Sequence, residues 1–172
     1  MASIPTTSAE IREAYLNFFE EKGCQRWPSS SLIPDDPSLL LTVAGMVQFK
    51  PYFLQQKHLD PRYVGATTAQ KCVRTNDIDI IGTDGRHLSF FEMLGNWSLG
   101  DYFKTESVGW SYELLTKVLK IDPNHLAVTC FEGEGDIPRD DETAQLWKSH
   151  GLRDDQIFFY GREDNWLSLI HI

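Results

Sequence analysis

The sequence predicts an α+β fold, a mixed and mostly antiparallel sheet flanked by helices. Three observations predict it. Residues 8–22 place Ile11, Ala14, Tyr15, Phe18 and Phe19 at helical spacing. Residues 66–74 and 86–94 read as two strands joined by a polar loop that carries Gly82 and Gly85, the pattern of a hairpin. Residues 104–119 carry a second helical stripe of Val108, Trp110, Tyr112, Leu114, Leu115, Val118 and Leu119.

Each element has local support. Ser8 is a candidate N-cap for the first helix, and Gly23 suits its end. Residues 27–34 hold a polar run between Pro28 and Pro34, so an extended connection is expected. Asp35-Asp36-Pro37 predicts a turn, and Leu39-Leu40-Leu41 a short buried strand. Residues 42–46 then turn into a helix that contains Gln48, Phe49, Tyr52 and Phe53, and residues 55–63 form a charged linker. The second long helix is weakened locally by Gly109. Residues 126–131 are β-branched enough for a strand. Residues 132–141 are acidic and glycine-rich but lack calcium-loop spacing, so they read as a solvated turn. A short amphipathic helix over 142–150, ended by Gly151, and a strand over 156–160 complete the order.

Composition narrows the function. The chain has 172 residues, enough for one domain with a real core. Its formal net charge of −9 argues against a protein that coats nucleic acid, though a local cationic pocket remains open. Cys24, Cys72 and Cys130 lie far apart with no C-x-x-C spacing, which disfavours a zinc site or a disulfide framework and suits a reducing cytoplasm. No signal-peptide pattern opens the chain, and no apolar run approaches the roughly 20 residues of a membrane span.

The hairpin carries the chemistry. Lys71 and Arg74 close its first strand, and Arg86-His87 open its second. Both pairs fall at the same end of the ribbon. Phe90 and Phe91 point to opposite faces, so one face offers cations with an aromatic ring. Planar guanidinium groups suit phosphate oxygens, and a ring can stack on a base. Residue types alone serve equally well for a surface hairpin with solvated charges and core phenylalanines. The literal string goes further. Q-K-C-V-R at 70–74, followed by R-H-L-S-F-F-E-M-L-G-N-W-S-L-G-D-Y-F-K at 86–104, closely resembles the adenylation domain of alanyl-tRNA synthetases, a class II family. The opening helix and the run S-S-S-L-I-P…D-P-S-L-L-L-T-V-A-G-M-V-Q-F-K resemble the same family.

The resemblance implies ATP-dependent activation of alanine and its transfer to tRNA(Ala), with Mg²⁺ accompanying ATP. Fixed positive charge and positioning are then the main catalytic tools. Arg74 matches the arginine that grips the α-phosphate, and Arg86 with His87 matches the pair that faces the terminal phosphates. Phe90 or Phe91 would stack on adenine, with Phe91 favoured. Glu92 would hold a cation or the adenine amino group. Asn96 and Asp101 serve equally well as helix caps. No protein-bound metal site is expected. Val43 and Val47 stand where relatives often carry asparagine, which puts those polar contacts in doubt. A Gly-Gly-Lys-His insert of many relatives has no counterpart after Arg74, and Lys71 is one candidate to replace its lysine. The match runs to Trp166. Leu167-Ser168-Leu169-Ile170-His171-Ile172 reads as the translated start of a sequencing-library adaptor, so residues 1–166 are expected to be the N-terminal portion of the adenylation domain and 167–172 a non-native tail. A chain of this length is expected not to charge tRNA alone. The alternatives are a non-catalytic, synthetase-derived nucleotide- or RNA-binding module and a purely structural partner domain.

Overall fold

The computed structural model describes residues 4–75 and 78–165; Asn76, Asp77 and the expected tail lie outside the described residues. The chain forms two units, Thr6–Asp101 and a second from Tyr102 onward.

The first unit opens with helix α1, Ser8–Glu21. Its N-cap is Thr7 rather than Ser8. The reason is the spacing T-S-A-E: the Glu10 N–H donates to Thr7 Oγ1 at 3.2 Å, and the Thr7 N–H donates to Glu10 Oε2 at 2.9 Å, which completes a reciprocal box. Leu16, Phe18 and Phe19 are buried, and Gly23 follows the C-cap at φ +90°, a conformation that favours glycine.

Strand β1, Cys24–Arg26, runs parallel to β2, Gly65–Val73, which pairs antiparallel with β3, Phe90–Ser98. The sheet order is β1-β2-β3. Between β1 and β2 lie a 3₁₀ turn, Val47–Phe49, and the single-turn helix α2, Lys50–Phe53. The strand expected at Leu39-Leu40-Leu41 is absent. Asp36 accepts from both the Ser38 N–H and its hydroxyl and turns the chain there, so Leu40 stands 87% exposed.

The returning strand was expected to start at Arg86; it starts at Phe90. Asp84 takes the Arg86 and His87 N–H groups at 2.9 and 3.0 Å, and those donors are lost to the ladder. The register sets Lys71 opposite Glu92, Cys72 opposite Phe91 and Ala66 opposite Trp97. Alternation then divides the sheet into two faces. Helix α1 covers one, where Tyr15 Oη donates to Asn96 Oδ1 at 3.0 Å. Asn96 is therefore a strand residue and not a cap. The other face holds Gln70, Cys72, Phe91, Met93 and Trp97. It packs under Phe49, whose ring lies 4.8 Å from that of Trp97.

In the second unit, helix α3, Lys104–Glu113, continues through a π turn, Leu114–Val118. It is followed by β4, Val128–Phe131, helix α4, Asp141–Ser149, and β5, Ile157–Tyr160. Strands β4 and β5 are parallel. The buried Val108 of α3 joins Cys130, Ala144, Trp147, Leu152 and Ile157 in this unit's own core. At the start of α3 the Glu106 carboxylate accepts from the N–H of the N-cap Phe103 at 3.4 Å, so the N-cap position is Phe103 and not Asp101. Asp140 caps α4 by accepting from the Thr143 N–H at 3.2 Å, and Lys104 Nζ reaches the same carboxylate at 2.7 Å. No helix among the described residues is long and apolar enough to cross a membrane.

Candidate nucleotide site

The ladder of β2 and β3 extends one step beyond Val73, because the Arg74 N–H donates to Ser89 O at 2.9 Å. That step places Arg74 on the face of Cys72 and Phe91. The Arg74 guanidinium lies over the Phe91 ring, 5.3 Å from its centroid. Its Nε–H donates to the main-chain carbonyl of Val43 at 2.9 Å. Among the described residues, its terminal Nη groups take no protein hydrogen bond. The result is a planar cation, held on one edge, half-stacked on an aromatic ring and open on its outer edge. Such an edge fits two oxygens of a phosphate group. Beneath it, Cys72 is wholly buried, and burial pushes its thiol above the ordinary value. The site therefore offers no ready thiolate nucleophile.

The other expected residues are placed differently. Phe90 lies on the opposite face from Phe91 and is 53% exposed, where the residue turned away from the ligand was expected to be core. Glu92 is also on that opposite face. It is engaged by Arg12 of α1, whose Nη2 lies 2.6 Å from Glu92 Oε2 while Nε donates to both carboxylate oxygens. Lys71 stands opposite Glu92, again away from Arg74. Arg86 and His87 belong to the loop. The His87 ring is paired with Asp84, whose carboxyl is held down at about 2 by the His87 and Arg86 N–H groups and by the His87 ring. Among the described residues no hydrogen bond, ion pair or ring contact joins Arg86 or His87 to Arg74 or Phe91. The structure thus brings Arg74 and Phe91 together, sets Arg86 and His87 in the loop that follows, and turns Phe90 and Glu92 to the other side.

Sequence reasoning missed two contributors. One is the Val43 carbonyl: the doubt raised by the missing asparagine concerned a side chain, whereas Arg74 is anchored on the main chain. The other is Gln70, wholly buried and bonded to the segment after β1. A polar residue at an inward-facing strand position was its signal. Among the described residues, no group of three or more His, Cys, Asp or Glu side chains is arranged to hold a metal.

Residues 10–170 match the family described as tRNA synthetases class II (A), and the chain belongs to that family. Curated relatives include the alanine–tRNA ligase of Fervidobacterium nodosum, 52% identical over 160 residues that cover 93% of this chain and 18% of that protein. That of Synechococcus sp. (strain CC9902) is 49% identical over 97% of this chain and 18% of its own length. That of Treponema denticola is 51% identical over 93% of this chain and 27% of its own. The chain therefore spans well under a third of these relatives.

Proposed function

We propose that this chain carries the ATP-gripping hairpin of an alanine–tRNA ligase, with residues 1–166 belonging to its adenylation domain. Arg74 holds the α-phosphate and Phe91 stacks on adenine. Arg86 and His87, from the loop, meet the terminal phosphates. Alanine's carboxylate oxygen attacks the α-phosphorus, the bond to pyrophosphate breaks, and the alanyl group passes from the mixed anhydride to a ribose hydroxyl of tRNA(Ala). The task of Arg74 is to sit where negative charge accumulates, without having to reorganise when it does. Mg²⁺ would come with ATP, held mostly by its phosphates and water with one or two carboxylates, and would neutralise charge on the phosphates. The working compartment is the cytoplasm.

The observation that carries this reading is the Arg74 guanidinium fixed by Val43 over Phe91 with its outer edge open. The test is calorimetric titration with ATP and Mg²⁺. Arg74→Ala and Phe91→Ala should each weaken binding by about tenfold or more, from the loss of a charged hydrogen bond and of a stacked base. Unchanged affinity in Arg74→Ala defeats the proposal.

A further inference from the structure

Arg74 depends on a carbonyl, and that carbonyl depends on its neighbour. Thr42 is wholly buried, and three hydrogen bonds fix it. Its N–H donates to Leu32 O at 2.8 Å, and its Oγ1 donates to Ser31 O at 2.7 Å. Its own carbonyl accepts the Val73 N–H at 3.0 Å, at the end of β2. The next carbonyl along the chain is the one that takes Arg74 Nε–H.

The partners of Thr42 are themselves anchored. Gln70 Oε1 accepts from the Ser30 N–H at 2.8 Å, from Ser30 Oγ at 3.1 Å and from Gln48 Nε2 at 3.0 Å. Gln70 Nε2 donates to Ser30 O and Lys71 O at 3.1 and 2.8 Å. This side chain is fully used, which is how a buried amide is tolerated. It seats residues 30–31 on the outer edge of β2 beyond the short β1 pairing. A continuous chain of bonds therefore runs from Gln70 through Ser30, Ser31, Thr42 and Val43 to Arg74.

We propose that Thr42 is a positioning residue for nucleotide binding, acting through the Val43 carbonyl to aim the Arg74 guanidinium at phosphate. The inference rests on the ATP reading of Arg74 given above. Its hydroxyl pulls the main chain toward Ser31, and its carbonyl ties that main chain to the end of β2. Together these set the direction in which the Val43 oxygen points. A guanidinium is a rigid fork, so a bond on Nε fixes where both Nη groups lie. Without the hydroxyl bond, residues 42–43 are held by fewer ties and the fork loses its preset direction.

The experiment is a double-mutant cycle read by calorimetric titration with ATP and Mg²⁺, with folding followed by circular dichroism. Thr42→Val, which keeps the shape and removes the hydroxyl, should weaken ATP binding roughly five- to tenfold. Thr42→Ser, which returns the hydroxyl, should restore most of it. In an Arg74→Ala background, Thr42→Val should cause no further loss, an outcome that general damage to the fold would not produce. Unchanged affinity in Thr42→Val, or an equal loss with and without Arg74, overturns the inference while leaving the ATP reading intact. An inert Arg74→Ala overturns the ATP reading and this inference with it. If Thr42→Val fails to fold, the ¹⁵N-labelled wild type decides: Arg74 Nε–H should exchange with water more slowly than Arg86 Nε–H, and equal rates overturn the inference.

Discussion

Single residues distinguish the two sides of the hairpin. Phe90 and Phe91 differ by one position, yet one meets Arg74 and the other stands half in solvent. Glu92 meets Arg12 and not Arg74, three residues beyond its cross-strand partner Lys71. The loop has its own small latch in Asp84. Its carboxyl is lowered from 3.8 to about 2 by bonds that exist only in the folded loop, so the charged form is the one the fold favours. The latch is accordingly complete above about pH 4 and weakens as pH falls toward 2, as linkage requires for a depressed carboxyl. The amide resonances of Arg86 and His87 should titrate together with a midpoint near 2, and Asp84→Asn should remove that titration. A midpoint near 3.8 would show that the latch does not exist in solution.

At the scale of elements, the sheet is held by close approach as much as by its ladder. The Trp97 ring folds back across Gly95, so that a Cβ at residue 95 would lie 2.2 Å from its Cη2. Gly95→Ala should therefore cost about 1–3 kcal/mol by overpacking, measured by urea denaturation. A variant as stable as the wild type would mean that Trp97 turns away freely. The elements also show where sequence was legible. Helix α1 follows from apolar spacing and the β2–β3 hairpin from its polar, glycine-bearing loop, both of them local signals. The start of β3 was misplaced by four residues because a carboxylate, Asp84, competed for the donors that would have begun the ladder. Leu39-Leu40-Leu41 looked buried because apolar runs usually are, but Asp36 turned the chain before a strand could form. In the site, strand period put Phe90 and Phe91 on opposite faces, while the resemblance rather than residue type singled out Arg74 and favoured Phe91. The Val43 anchor was not legible, since every residue has a carbonyl and no letter marks which one will be used.

At the scale of the molecule, two cores stand behind the two units, and each must be stable in its own right for its residues to stay in place. The second is small and built round Trp147, which contacts neighbours from a helix, a loop and a strand. Trp147→Ala should destabilise residues 102–165 by about 3–5 kcal/mol, because a large side chain leaves a cavity that its surroundings only partly fill. Denaturation followed by far-ultraviolet circular dichroism checks this, and a loss under 1 kcal/mol would show that the core does not depend on that ring. The partners of α3 were the least legible feature at this scale. Its stripe announces that one face must be covered, but an apolar face carries no address, and no letter says that Val108 will meet Cys130 and Trp147.

The Val43 carbonyl gives Arg74 an anchor that point mutation cannot delete. Any amino acid encoded at codon 43 brings the same oxygen, so drift in its side chain leaves the grip on Arg74 untouched. Heritable change can reach that grip only indirectly, by bending the peptide that presents it.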